Sequence, residues 1–176
     1  MSNFVGDLSF GQKWEATARL ILSRTEEIQE VAPARMFKAW DFRTNVAKYE
    51  VKTDRLAYKY GGCRTMFIEF ECSGNPSGIN ATEADYYIYI MVKPNDEYEM
   101  FRIPVADLKT ACDGCEIKKG GDGYRARGYI VPIIEKFRMT PSIVQRDART
   151  QNPPALPKLI LPVRTPPSGN TSPSPS

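Results

Sequence analysis

The sequence predicts an α/β or α+β domain in which a mixed β-sheet is flanked by helices. Apolar residues recur at a helical spacing from Trp14 to Ile28, and several later segments alternate apolar with polar side chains, as half-buried strands do. Tyr86–Val92 is apolar on both faces, which is typical of a central strand covered on both sides. Together these patterns predict a sheet whose middle strand is buried.

The N-terminal helix has a start and a stop signal. Ser9 and Gln12 fit a capping box, in which the two side chains satisfy free amides of the first turn. Pro33 disfavours helical geometry at the residue before it. We therefore expect this helix to end by about Ala32.

The later segments predict strands and a second helix in the order three strands, short helix or loop, two strands, helix, strand. The predicted strands are residues 36–42, 46–53, 65–72, 86–92, 98–103 and 128–134, with a turn at 43–45. Asn80 and Glu83 suit the cap of a single helical turn, and Pro104 suits the first position of a helix ending near Cys112. Pro132 favours an edge position for the last strand because proline lacks the amide donor of a sheet.

The end of the chain differs from the rest in composition. Residues 151–176 hold eight of the fourteen prolines, two basic residues and no acidic ones. Such a segment buries too little apolar surface to offset its loss of conformational entropy. We therefore predict one domain over residues 1–150 and a Pro/Ser-rich tail over 151–176 that is disordered and available to a protein partner.

Charge and residue usage exclude several classes of function. The net charge is +3, and the tail holds two of the positive charges, so the domain is close to neutral and any DNA-binding surface must be a local patch. The chain has no histidine, which excludes Ser-His-Asp and Cys-His nucleophiles and histidine metal sites. Catalysis would therefore use carboxylates, lysine and metal, or cysteine.

The sequence also carries expectations about location. No stretch reaches the roughly 20 apolar residues of a membrane-spanning helix, and the first seven residues lack the basic and apolar regions of a secretory signal. Four cysteines at irregular spacing favour a reducing compartment. We expect a cytoplasmic protein without a membrane segment.

One set of residues has the composition of a phosphodiesterase site. Because side chains alternate along a strand, Glu50 and Lys52 project from one face about 7 Å apart, and a hairpin brings Asp41 beside them. The two carboxylates and the Val51 carbonyl form a hard oxygen site suited to Mg²⁺, with Mn²⁺ as a substitute. A lysine beside such a site can activate water or stabilise developing phosphate charge.

Asp41 together with Glu50-Val51-Lys52 resembles the D-x(n)-E-x-K core of the PD-(D/E)XK nuclease superfamily. Residues 11–15, Gly-Gln-Lys-Trp-Glu, resemble the Gly-x-x-x-Glu helix of archaeal Holliday-junction resolvases and related exonucleases. That resemblance implies a restriction-endonuclease-like fold over roughly residues 9–112 and adds Glu15 to the catalytic set. Trp40 stands where the family name has proline.

The resemblance implies a Mg²⁺-dependent DNA endonuclease, one that acts on particular DNA structures and often as a homodimer. Residues 77–87 are similar to a segment that follows the third strand in phage and restriction-type members, which implies a phage or prokaryotic origin. Two other functions stay open. One is a non-catalytic nucleic-acid-binding protein on the same fold, and the other is an adaptor that acts through the Pro-rich tail.

Several residues have both a functional and a structural interpretation. Asp41, Glu50 and Lys52 also suit a solvated charged face, and Glu15 is spaced to pair with Arg19 on the helix surface. Glu69 is a candidate for a second metal or for support of the metal ligands, and a solvent-facing strand residue is the alternative.

Two further groups are candidates at the level of sequence. Four basic residues lie around a glycine-rich loop: Lys118, Lys119, Arg125 and Arg127. They would bind phosphate, and the alternative is that they are ordinary solubilising charges. Four thiolates would be enough for a structural zinc, although free thiols fit their spacing better: Cys63, Cys72, Cys112 and Cys115.

Overall fold

The structure is a computed structural model that describes residues 4–33, 39–55 and 64–139 of the 176. Its helices are Phe4–Leu22 (α1) and Val105–Cys112 (α2), and short 3₁₀ turns cover Gly78–Asn80, Asp122–Tyr124 and Glu135–Phe137. Its strands are Ile28–Val31 (β1), Phe42–Thr44 (β2), Lys48–Asp54 (β3), Thr65–Cys72 (β4), Asn75–Pro76 (β5), Tyr86–Val92 (β6), Tyr98–Pro104 (β7), Ile117–Gly120 (β8) and Ala126–Pro132 (β9).

The strands form two sheets. The first has the order β1-β2-β3-β6-β7, and it is mixed because β3 pairs with β6 in parallel while its other pairs are antiparallel. The second has the order β5-β4-β9-β8 and is antiparallel throughout. The predicted α+β class with a mixed sheet is confirmed.

Strand β6 divides the interior into two cores, as its apolar sequence predicts. Ile88, Ile90 and Val92 pack in the same cluster as Trp14, Ala18 and Leu22 of α1. Tyr87, Tyr89 and Met91 pack in a second cluster with Met66, Ile68 and Phe70 of β4 and Leu108 of α2. The first sheet therefore has α1 on one face and the second sheet with α2 on the other.

Both predicted ends of the first helix are wrong. Helix α1 begins at Phe4, so Ser9 and Gln12 lie inside it and do not cap it. Helix α1 ends at Leu22, and the amide of Glu26 bonds back to the Leu22 carbonyl in a turn. The residues that follow form β1, which pairs with β2. Pairing with β2 overrides the local apolar pattern, which fits a helix equally well.

The predicted turn at 43–45 is also wrong. Arg43 and Thr44 belong to β2, and the chain turns one step later, where the Thr44 amide bonds to the Ala47 carbonyl. The strand predicted over 36–42 is wrong where the structure describes it: residues 39–41 are not in a strand, and Phe42 is the first residue of β2 instead of the last of that strand. Residues 36–38 lie outside the described residues. The predicted strands at 65–72, 86–92 and 98–103 and the helix ending at Cys112 are confirmed.

The predicted edge position of the last strand is wrong. Strand β9 lies between β4 and β8, and β8 was not among the predicted strands. Pro132 is tolerated because β8 pairs only with residues 126–129, so Pro132 at the end of β9 faces β4 alone.

The last part of the chain, residues 140–176, lies outside the described residues. The domain boundary at residue 150 and the disorder of the tail therefore stay predictions. In the described ranges, neither helix has the length and apolar character needed to cross a membrane.

Candidate active site

The hairpin of β2 and β3 holds Asp41 against β3. Asp41 immediately precedes β2, and its amide donates to the Tyr49 carbonyl at 2.8 Å. Its carboxylate Oδ2 accepts a hydrogen bond from the Val51 amide at 2.6 Å. Asp41 therefore precedes a strand, whereas the sequence predicted that it closes one, but the structure brings it to the strand that carries Glu50 and Lys52.

Glu50 and Lys52 lie on the face of β3 that is turned toward the second sheet. Glu50 is only 7% exposed, and the Lys52 ammonium contacts its Oε1 at 2.6 Å. Lys52 is partly exposed, so its charged end reaches the surface while Glu50 stays inside. The alternation of β3 explains this pair, since residues two apart share a face.

Glu15 enters the same site from α1. It forms an ion pair with Arg19 one turn later, as the structural interpretation of the sequence expected. It also lies close enough to Asp41 for the two carboxylates to repel each other, because the Asp41 charge contributes to its shifted pKa. Pairing with Arg19 and membership of the acidic site are therefore compatible.

The three carboxylates share an unfavourable electrostatic environment. Burial raises the pKa of Glu15 above its usual range, and the Asp41 charge adds to this while Arg19 opposes it. Burial likewise raises the pKa of Asp41, against the effect of the Val51 amide and of Lys52. The pKa of Glu50 is raised by burial and by Asp41, although Lys52 lowers it.

The site favours the charged form of Lys52, whereas it disfavours the charged forms of the three carboxylates. Burial would lower its pKa, but the Glu50 carboxylate outweighs burial, and the net effect is a pKa above the usual range. Lys52 is therefore an ammonium ion at neutral pH, with all its protons available for donation.

An open cavity of about 530 Å³ gives access to these residues. It lies between the start of the buried part of α1 and the end of β3, and is lined by Phe10, Gly11, Gln12, Glu15, Asp41, Val51, Lys52, Thr53, Asp54 and Arg55. Two of the carboxylates and the lysine thus face a space in which a phosphate group fits.

Glu69 reaches the site from the second sheet. Its charge acts on the pKa of Glu50, and its carboxylate accepts a hydrogen bond from the Ser77 hydroxyl. Gly78 packs directly on the Glu69 backbone, where an added Cβ would lie 2.2 Å from the Glu69 carbonyl oxygen. The turn after β5 therefore holds Glu69 in place, and the charge of Glu69 acts on Glu50, which suits the supporting role that the sequence suggested.

Tyr87 is a site residue that the sequence analysis did not identify. It lies beside Glu50 in the parallel register of β3 and β6, and the charges of Lys52, Glu50, Glu69 and Asp41 all act on its pKa. The tyrosines of this strand were expected to be core residues, and Tyr87 is indeed 1% exposed. Only the register shows that its hydroxyl end belongs to the acidic site.

The predicted phosphate-binding residues lie elsewhere. Lys118 and Lys119 are on β8, Arg127 is on β9 and Arg125 immediately precedes β9. These four residues do not line the cavity. Lys118 pairs with Glu116 at 3.4 Å and Arg127 with Glu71 at 3.2 Å. The structure therefore places these four cations in a separate group on the second sheet.

The described cysteines are free thiols. Cys112 is buried, Cys72 and Cys115 are partly buried, and Cys63 lies outside the described residues. Across 4–33, 39–55 and 64–139, no three side chains of His, Cys, Asp or Glu form a preassembled metal site. In the acidic site this reflects the pairing of Glu50 with Lys52 and of Glu15 with Arg19, so a cation would have to displace these partners.

The donor set nevertheless fits a hard divalent cation. Asp41, Glu50 and the backbone of Val51 offer oxygen atoms only, which is the ligand type that Mg²⁺ prefers. No protein-family model matches the chain, and no curated protein matches it. The functional assignment therefore depends on the residues and geometry of the site.

Proposed function

We propose that this protein is a Mg²⁺-dependent DNA endonuclease of the PD-(D/E)XK type. The observation that carries the proposal is that Glu15, Asp41 and Lys52 line one open cavity, with buried Glu50 paired to Lys52 at 2.6 Å. Carboxylates whose pKa values are raised, here mainly by burial and for Glu15 and Glu50 also by the Asp41 charge, are typical of functional sites.

The cation would be held by Asp41, Glu50 and the Val51 carbonyl. The Val51 amide points to Asp41, and the amide and carbonyl of one strand residue point to the same side, so the carbonyl is directed there as well. Strand β2 pairs with β3 only at Lys48 and Tyr49, and it leaves this edge of β3 open. When bound, Mg²⁺ would supply Lewis-acid polarisation of a phosphate oxygen.

Lys52 supplies positive charge at the cavity wall. As an ammonium, it donates hydrogen bonds to a non-bridging oxygen of the scissile phosphate and stabilises the charge that develops during attack by water. Glu15 lines the same cavity as Asp41, where its carboxylate can orient the attacking water. The free thiols suit a reducing compartment, and we place this activity in the cytoplasm of a bacterium or a phage-infected cell.

A cleavage panel tests the proposal. Supercoiled, linear, nicked, flapped, branched and single-stranded DNA, with RNA as a further substrate, would be incubated with Mg²⁺, with Mn²⁺ or with a chelator. We expect cutting of at least one DNA in either metal and none with chelator. The matched Lys52→Ala protein excludes a contaminating nuclease. Binding of DNA without metal-dependent cutting of any substrate would favour the non-catalytic alternative and overturn the proposal.

A further inference from the structure

The Tyr87 hydroxyl stands out among three fully buried tyrosines. Tyr49 donates to the Glu26 carboxylate at 2.8 Å. Tyr89 donates to Asp54 at 3.0 Å and accepts from the Phe67 amide at 3.1 Å. The Tyr87 hydroxyl is also buried, yet it has no hydrogen-bond partner among the described residues. A buried polar group without a partner costs free energy, so its retention calls for a reason other than packing.

The surroundings of this hydroxyl are the acidic site itself. Tyr87 is the cross-strand neighbour of Glu50, and both side chains leave the sheet on the face turned toward the second sheet. After burial, the largest influence on the pKa of Tyr87 is the positive charge of Lys52. Glu50 is the cross-strand neighbour of Tyr87 and the partner of the Lys52 ammonium at 2.6 Å, so the phenol and the ammonium share Glu50 as a neighbour.

Lys52 needs a second partner once a cation occupies the site. Its ammonium has three donors, and the described contacts give it one close partner, the Glu50 carboxylate at 2.6 Å. A divalent cation that binds Glu50 would compete for that carboxylate and repel the ammonium. A neutral phenol oxygen can accept from an ammonium without adding charge, whereas Glu69 would add another carboxylate.

We propose that Tyr87 is a positioning residue: when a divalent cation takes the Glu50 carboxylate, the Tyr87 hydroxyl accepts a hydrogen bond from Lys52 and holds the ammonium at the cavity wall. This inference rests on the proposed function, since it needs a cation at Glu50. It extends that function because, in the metal-bound state, Tyr87 would set the orientation of the Lys52 ammonium.

The first test is kinetic and compares Tyr87→Phe with wild type and with Tyr86→Phe. Tyr86 is the matched control because it precedes Tyr87 on β6 and packs on the α1 side of the sheet. We expect the single-turnover cleavage rate of Tyr87→Phe to fall about tenfold to a hundredfold, as for a misplaced catalytic group. The DNA concentration for half-maximal rate and the melting temperature should not change. A rate equal to that of wild type would overturn the proposal.

The second test needs no cleavage. Nuclear magnetic resonance of the lysine ammonium groups would be recorded with and without Ca²⁺, with the Lys52 signal assigned by its loss in Lys52→Ala. In wild type we expect Ca²⁺ to shift this signal while it stays protected from exchange with water. In Tyr87→Phe, Ca²⁺ should remove the protection. The same Lys52 behaviour in both proteins, including no response to Ca²⁺ in either, would overturn the proposal.

The two tests separate this inference from the proposed function. If no protein cuts any nucleic acid but Ca²⁺ moves Lys52 onto Tyr87, the nuclease assignment fails and the positioning role stands. If wild type cuts DNA and both Tyr87→Phe tests match wild type, the nuclease assignment stands and the positioning role fails.

Discussion

Two buried glutamates on opposite sides of the first sheet differ in the hydrogen-bond donors and charges that surround their carboxylates. Glu26 is 8% exposed and Glu50 is 7% exposed. Glu26 meets three donors: the Thr44 hydroxyl at 2.7 Å, the Tyr49 hydroxyl at 2.8 Å and the Arg102 guanidinium at 2.9 Å. Glu50 meets one ammonium, and the charges of Asp41 and Glu69 oppose it.

The difference separates a structural charge from one for which we propose a function. Donors surround the Glu26 carboxylate, so its desolvation is offset within the protein. The environment of Glu50 holds more negative charge than the protein itself compensates, which leaves a role for a cation from solution. Burial alone would have placed the two residues in one class, and the sign of the neighbouring charges distinguishes them.

The largest expected effect is that of Lys52→Ala on cleavage. The substitution removes the ammonium that stabilises charge on the phosphate, so we expect the rate to fall by at least about a thousandfold. Folding and DNA binding should stay close to wild type, because Glu50, which loses its ion-pair partner, can take up a proton or a cation instead of staying charged and unpaired. Circular dichroism and a binding assay are the controls. Unchanged cutting would show that the site on the Glu50 side of the sheet is not the active site.

Glu50→Gln should lower the cleavage rate by at least about a hundredfold. It should also raise the Mg²⁺ concentration needed for the remaining activity, because a charged oxygen ligand becomes a neutral one. Without metal, the melting temperature should stay the same or rise, since repulsion with Asp41 and Glu69 is relieved. A large loss of stability would instead give Glu50 the structural character of Glu26.

Glu26→Gln should act on stability. It leaves the Arg102 guanidinium without its carboxylate partner in a buried network, and we expect a loss of about 3 kcal/mol in the free energy of unfolding. Glu30→Gln is the matched control, because its pair with Arg43 at 3.5 Å is exposed and should change stability by less than about 1 kcal/mol. Denaturant unfolding measures both. Equal effects of the two substitutions would contradict the role given to Glu26.

The smallest effect is expected from removal of the tail. A chain that ends at Thr150 should melt within a few degrees of the full chain and keep its metal-dependent cleavage, because the tail offers little apolar surface for burial. A thermal melt and the plasmid assay are sufficient. A collapse of the melting temperature would instead show that Leu159-Ile160-Leu161 packs on the domain.

The parts of the fold that the sequence predicted correctly have strong local patterns. Strands β4, β6 and β7 combine regular alternation or continuous apolar character with clear turns at their ends. Strands β1 and β8 lack such patterns: most residues of both are exposed, and those of β8 are Ile-Lys-Lys-Gly. These two strands exist because a neighbouring strand offers them hydrogen bonds, which no local pattern records.

The same distinction applies to the candidate site. Alternation along β3 and the short hairpin were enough to predict that Asp41, Glu50 and Lys52 meet. The contribution of Tyr87 depends on the parallel register that sets it beside Glu50 across a long connection. A shift of that register by one residue would turn its hydroxyl to the α1 side of the sheet.

The long connection between β3 and β6 also determines when the site can form during synthesis. It contains β4, whose longest pairing is with β9, so that Thr65 lies opposite Pro132 and Glu69 opposite Gly128. Contacts between such distant parts of a chain form slowly. A nascent chain cannot pair β4, which carries Glu69, with β9 until residues 126–132 have left the ribosome. The acidic site is therefore completed only near the end of translation of the domain, and shorter nascent chains carry its residues without its geometry.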